Sequence, residues 1–166
     1  MRYAKRLALE APTPAARASL AGVALALRAL ERACGRAVPP GELVFESQLK
    51  PRWAGSPHGV DFSITHSGPW VGAAALCGGR VGLDLECGTD ARTSEWVARE
   101  AVLKAAGLGV RALREVELTH DGARCRGAHW HTRALAHFPG AMACVASELV
   151  PRALQTHAVP LAELFA

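Results

Sequence analysis

The sequence predicts an α+β fold in a single domain spanning residues 1–166, and three observations carry that prediction. Two helical stretches, at about residues 14–34 and 95–106, are each followed by several short strand-like runs instead of alternating with strands one for one. Those runs show period-two alternation or short apolar blocks bounded by Gly and Pro. Finally, 166 residues with 50% hydrophobic and 20% charged side chains suit one compact domain, or two small halves sharing a core.

The elements follow in chain order. Apolar residues at helical spacing run from about Pro14 to Cys34, and Gly35 and Pro39-Pro40 stop the helix. "ELVFES" reads as a short strand and "LKPRWAGSPHG" as a loop dense in Pro and Gly. "VDFSIT" and "WVGAAALC" read as strands separated by "HSGP", and Gly78-Gly79 turns the chain into "RVGLDLE". A second helix is expected from about Glu95 to Ala106, with Thr93 or Ser94 as its cap and Gly107 and Gly109 at its end. Strands are then expected at about Glu115–Thr119, Ala128–Ala134 and Ala141–Ser147.

Composition narrows the function classes. A formal charge of +4, carried mostly by Arg, points to anionic partners such as phosphates or an acidic protein. The basic residues are too dispersed for a nucleic-acid binder. Five cysteines without a C-x-x-C pair argue against a disulfide framework and for a reducing, cytoplasmic setting. Arg2, Lys5 and Arg6 ahead of "SLAGVALAL" imitate a secretory leader, but Glu10, Pro12, Pro14 and Arg17 interrupt it, and no apolar run is long enough to span a membrane. "CRGAHWH" brings Cys125, His129 and His131 close in sequence, but it lacks a fourth nearby ligand and reads as ordinary strand residues.

The chemistry gathers around "VGLDLE", residues 81–86. Val81, Leu83 and Leu85 alternate with Gly82, Asp84 and Glu86, the pattern of a half-buried strand. Asp84 and Glu86 then share a face, roughly 7 Å apart at their Cα atoms. Like charges that close need water or a cation between them. In the second helix, Trp96, Glu100 and Lys104 fall at i, i+4 and i+8 and line one stripe. Alone, Glu100 and Lys104 read as an exposed ion pair, a few tenths of a kcal/mol. Taken with the strand, Asp84, Glu86 and Glu100 make an all-oxygen set suited to Mg²⁺, and Lys104 lies one turn on, where it can meet a phosphate. Packing is the simpler role for both Trp96 and Trp70.

"GLDLE" followed by "WVAREAVLKAAGLG" resembles the two signature motifs of the surfactin-type 4′-phosphopantetheinyl transferases, G-[IV]-D-[IVL]-E and W-x-x-K-E-[SA]-x-x-K-x-x-G-x-G. "LKPRW" resembles the family's G-K-P stretch, and "DFSITHSGPWVGAAA" its F-N-[IL]-S-H-S segment. "WHTRALAHFPGAMACVAS" is similar to its late strand pair. The likeness covers roughly residues 15 to 148, and several motifs in order are specific where one is not.

The resemblance implies a fold of two similar halves about a pseudo-twofold axis, here about 1–86 and 87–166, with the active site between them. It implies coenzyme A and Mg²⁺ as substrate and cofactor, an acyl or peptidyl carrier protein as partner, and a monomer. A carrier serine attacks the β-phosphorus, the phosphopantetheine arm is transferred, and adenosine 3′,5′-bisphosphate leaves. By the same resemblance Asp84, Glu86 and Glu100 hold the metal, and Glu100 is also the base. Lys104 and His66 offset phosphate charge, Thr65-His66 contacts coenzyme A, and Lys50 meets the nucleotide phosphates. The chain departs from the pattern in three places. Nine residues separate Glu86 from Trp96, where the family carries a longer segment with a helix. Its N-terminus is short, leaving Arg6 and Arg17 as the nearest basic residues. Arg99, Ser63 and Thr65 replace the family's Lys, Asn and Ser. An alternative consistent with the short linker is a degenerate member that binds a carrier protein or coenzyme A without turnover.

Overall fold

A computed structural model describes residues 13–46, 50–56, 59–136, 138–150 and 153–164. Arg2, Lys5 and Arg6, with the interrupted leader-like start, lie outside the described residues. The fold is α+β with antiparallel strand pairing throughout. Among the described residues no helix is long and apolar enough to cross a membrane.

Helix α1 (Pro14–Cys34) has the predicted bounds. Thr13 accepts a hydrogen bond from the Ala16 N–H at 3.2 Å, Pro14 opens the first turn, and Gly35 closes the helix in the left-handed conformation at φ 68°. After a short 3₁₀ turn, "ELVFES" shrinks to β1 (Leu43–Val44). The expected loop contains its partner, β2 (Arg52–Trp53). Strands β3 (Val60–Ser67) and β4 (Trp70–Cys77) form a hairpin. Their Phe62, Ile64, Ala73 and Ala75 face α1, where Ala26 and Leu30 complete a first core.

The second layer is a five-stranded sheet in the order β5 (Val81–Cys87), β9 (Ala141–Ser147), β8 (Ala128–Leu135), β7 (Gly122–Cys125) and β6 (Val116–Thr119). β7 is absent from the sequence reading because "GARC" carries no β-branched or aromatic residue. Its turns were nevertheless marked by Asp121-Gly122 and Arg126-Gly127, and the latter pair has positive φ at both positions (50° and 80°), as a type I′ turn requires.

Helix α2 (Ala91–Ala106) begins one turn before the expected start. Asp90 is its cap, accepting from the Thr93 N–H at 2.7 Å, so Thr93 donates to the cap that it was expected to be. α2 packs on the sheet through Val97, Ala101 and Ala105 against Trp130, Cys144 and Ala146.

That packing corrects the reading of β5 as half-buried. Every residue from Val81 to Leu85 is buried, because α2 covers the face carrying Gly82, Asp84 and Glu86. A Cβ on Gly82 would lie 2.0 Å from the Ala101 carbonyl oxygen and 2.4 Å from the Ala105 nitrogen. Only glycine admits the helix this close. Gly82→Ala is therefore expected to cost about 3 kcal/mol, the upper end of overpacking penalties. Its melting temperature should fall by roughly 6–12 °C, and a thermal melt that overlays the wild type would show that α2 stands off the strand.

The outer edge of β5 is met by side chains of β3 where a main-chain partner is missing. Asp61 accepts from the Val81 N–H at 2.8 Å, Ser63 from Leu83 N–H at 3.0 Å, and Ser67 from Cys87 N–H at 3.1 Å. The alternating polar residues of "DFSITHS" thus run parallel to β5 and satisfy its backbone. The C-terminal segment returns across the molecule: Leu154 packs near Val81 and Leu83, and α3 (Leu161–Leu164) ends on α1. There Arg28 donates to the carbonyls of Glu163 (2.7 Å) and Leu164 (3.2 Å).

Candidate active site

Because Gly82 sits directly beneath α2, the next two residues on that face of β5 emerge beside the helix stripe of Trp96, Glu100 and Lys104. The result is a cleft of about 300 Å³ lined by Asp84, Glu86, Trp96, Glu100 and Lys104 together with Ile64, Thr65, His66 and Leu85. Thr65, His66, Asp84, Glu86, Glu100 and Lys104 therefore share one cavity.

The Glu100–Lys104 pair that the helix alone would suggest does not form. Lys104 Nζ donates to Asp84 Oδ1 at 2.6 Å, so the ammonium serves the strand and not Glu100 one turn back. Thr65 Oγ1 donates to the same Asp84 oxygen at 3.2 Å, and the Ser67 hydroxyl donates to Glu86 Oε2. Glu100 is left without such a donor: its Oε1 is buried and has no hydrogen-bond partner. Burial first, then the Asp84 charge, pushes the Glu100 carboxyl above its ordinary value; Lys104 opposes the rise and Glu86 adds to it. Three carboxylates thus face one ammonium, with His66 exposed at the rim.

Among the described residues no three His, Cys, Asp or Glu side chains are arranged as a ready-made metal-ligand group. Asp84 is engaged by Lys104 and Thr65, and Glu86 by Ser67. The donor chemistry nevertheless suits a hard divalent cation, since all three acids present oxygen and one oxygen of Glu100 is buried and unsatisfied.

Lys50 stands apart from this cleft. Its ammonium bonds the Asp61 carboxylate and the Val81 carbonyl, the latter at 2.7 Å, and burial pulls it below the ordinary lysine value against the attraction of Asp61. Asp61 lines a larger groove of about 560 Å³ whose other charged residues, Arg80 and Glu148, pair with each other at 3.2 Å. Among the described residues, that groove's charges are already matched and none is free for a ligand. Arg17 is exposed in the first turn of α1, Arg6 is outside the described residues, and Arg99 pairs with Glu95 at 2.9 Å.

One further expectation changes. Trp96 does not simply pack: it is 40% exposed on the cleft wall. Trp70 does pack, edge-on to Phe138 at 5.5 Å with its indole N–H on the Pro139 carbonyl. Cys125 faces α2 in the same register as Trp130, whereas His129 and His131 lie on the opposite face of β8, so strand parity separates them. Ser67 stands outside the cleft lining but donates to Glu86 within it, a role the sequence reading does not assign. The alternation of Asp61, Ser63, Thr65 and Ser67 was the available signal. Comparison with protein-family models and with curated proteins returns no match for this chain.

Proposed function

We propose that this chain is a 4′-phosphopantetheinyl transferase of the surfactin type, moving the arm of coenzyme A onto a serine of an acyl or peptidyl carrier protein. The observation that carries the reading is the buried, unpartnered oxygen of Glu100, facing Asp84, Glu86 and Lys104 in an open cleft. Buried polar atoms are as a rule hydrogen-bonded, so the bare oxygen marks Glu100 as a candidate ligand. The α+β architecture, with one helix on the β3–β4 hairpin and one on the larger sheet, accords with two halves meeting at the cleft.

In this reading the serine oxygen attacks the β-phosphorus of coenzyme A as the bond to the bridging pyrophosphate oxygen breaks. Glu100 accepts the serine proton, and a carboxyl raised by burial is better matched to that task near neutral pH than an exposed one. Lys104 and His66 offset charge on the phosphates, and Thr65 holds Asp84 in place. Asp84, Glu86 and Glu100 are the residues to hold Mg²⁺, which when bound supplies Lewis-acid neutralisation of the pyrophosphate. Trp96 offers an exposed ring to the substrate side of the cleft.

Intact-mass spectrometry of apo carrier proteins incubated with this chain, coenzyme A and Mg²⁺ tests the proposal; a carrier that gains the phosphopantetheine mass supports it. Binding of coenzyme A or carrier without any mass gain would instead favour the non-catalytic alternative.

Lys104→Ala separates a phosphate-binding lysine from one that merely pairs with Asp84. Calorimetric titration is expected to show coenzyme A binding weakened by roughly 10- to 100-fold, the range for losing a charged hydrogen bond, with turnover falling as well. Unchanged affinity and turnover would leave Lys104 as a partner of Asp84 only.

A further inference from the structure

We infer that Cys34 and Cys77 are a redox-active thiol pair that closes to a disulfide joining the end of α1 to the end of β4. Cys34 is the last residue of α1 and Cys77 the last of β4, 43 positions apart, yet their sulfurs stand 3.5 Å from each other. Cys77 Sγ also lies 3.1 Å from the Ala33 carbonyl oxygen, to which its S–H donates. With that proton committed, the contact between sulfurs is a donation from the Cys34 thiol to Cys77. Burial, then this hydrogen bond, pushes Cys34 up, whereas Cys77 is exposed and open to an incoming oxidant.

The order of events follows with a low-molecular-weight disulfide, such as oxidised glutathione, as oxidant. Cys77 gives its proton to solvent and the resulting thiolate attacks one sulfur of the oxidant, whose S–S bond breaks to release a thiolate that takes up a proton from solvent. Cys34 then loses its proton to solvent and attacks the Cys77 sulfur, and the second thiol departs. Two electrons pass from the cysteine pair to the oxidant, and one disulfide replaces another. Cys125 and Cys144 are buried in the core and serve as inert internal controls, and burial pushes Cys144 up to about 11. Cys87 is exposed without a paired thiol and reports simple accessibility.

The test is to treat the full chain with oxidised glutathione, denature it, alkylate it and map its peptides by mass spectrometry. The expected result is a peptide bridged between Cys34 and Cys77, with no glutathione retained on Cys77. Cys34→Ser should instead keep glutathione on Cys77. The bridged protein should melt roughly 5–10 °C higher, as a cross-link closing a long loop produces, and a dithiol reductant should reverse the gain. Glutathione retained on Cys77 with Cys34 free, both thiols left unreacted, a bridge to another cysteine, or an unraised melting temperature would each overturn the inference.

Discussion

Glu100→Gln is expected to lower the transfer rate by roughly a hundredfold or more at saturating Mg²⁺, the usual scale for losing a positioned base, while making the metal-free protein more stable. The two effects share one cause. Glu100 brings a buried, unpartnered oxygen into a cleft that already holds Asp84 and Glu86. Its carboxyl is raised, so the native state binds the proton more tightly than the unfolded chain does. Stability therefore falls as pH rises from the unfolded value, about 4.3, through the native one, and the ionised group is a cost at neutral pH. Glutamine removes that cost. The melting temperature should rise at neutral pH, by no more than roughly 2 °C because solvent screens this partly exposed group. The gain should vanish in acid below the unfolded value. A metal ligand alone would yield to mass action, so full recovery of the rate by added Mg²⁺ would reject Glu100 as the base.

If the proposed function holds, Asp84→Ala is expected to reduce transfer by a factor of roughly a thousand or more, since it removes both a proposed metal ligand and the partner that orients Lys104. The fold should survive. Crowding among three carboxylates would by itself leave stability unchanged or higher when one is lost. The 2.6 Å contact with Lys104 revises that expectation. With its side chain 30% exposed, Lys104 can return to water, so the net cost should stay at about 1–2 kcal/mol. Circular dichroism should therefore report a native spectrum and a slightly lower melting temperature. A near wild-type rate in excess Mg²⁺ would remove Asp84 from the catalytic set.

Much of this was legible in the chain itself. The bounds of α1 follow from Thr13, Pro14 and Gly35, which act within a single turn of the backbone. The shared face of Asp84 and Glu86, and the stripe of Trp96, Glu100 and Lys104, follow from the periods of strand and helix. These are local properties, set by bond geometry over a few residues, so the order of residues determines them.

Tertiary packing decided the rest, through contacts that join positions far apart in sequence. Glycine at 82 lets α2 lie on β5, and that close approach turns an apparently half-exposed strand into a buried one. The same approach brings Asp84 within reach of Lys104, so the lysine leaves its helical neighbour and Glu100 is stranded. Asp61, Ser63 and Ser67 complete the edge of β5 twenty residues downstream, and Lys50 is drawn to Asp61 instead of the cleft. Periodicity reports which way a side chain points. Which group it meets depends on how closely two elements approach, and that distance is settled only when the whole core closes around them.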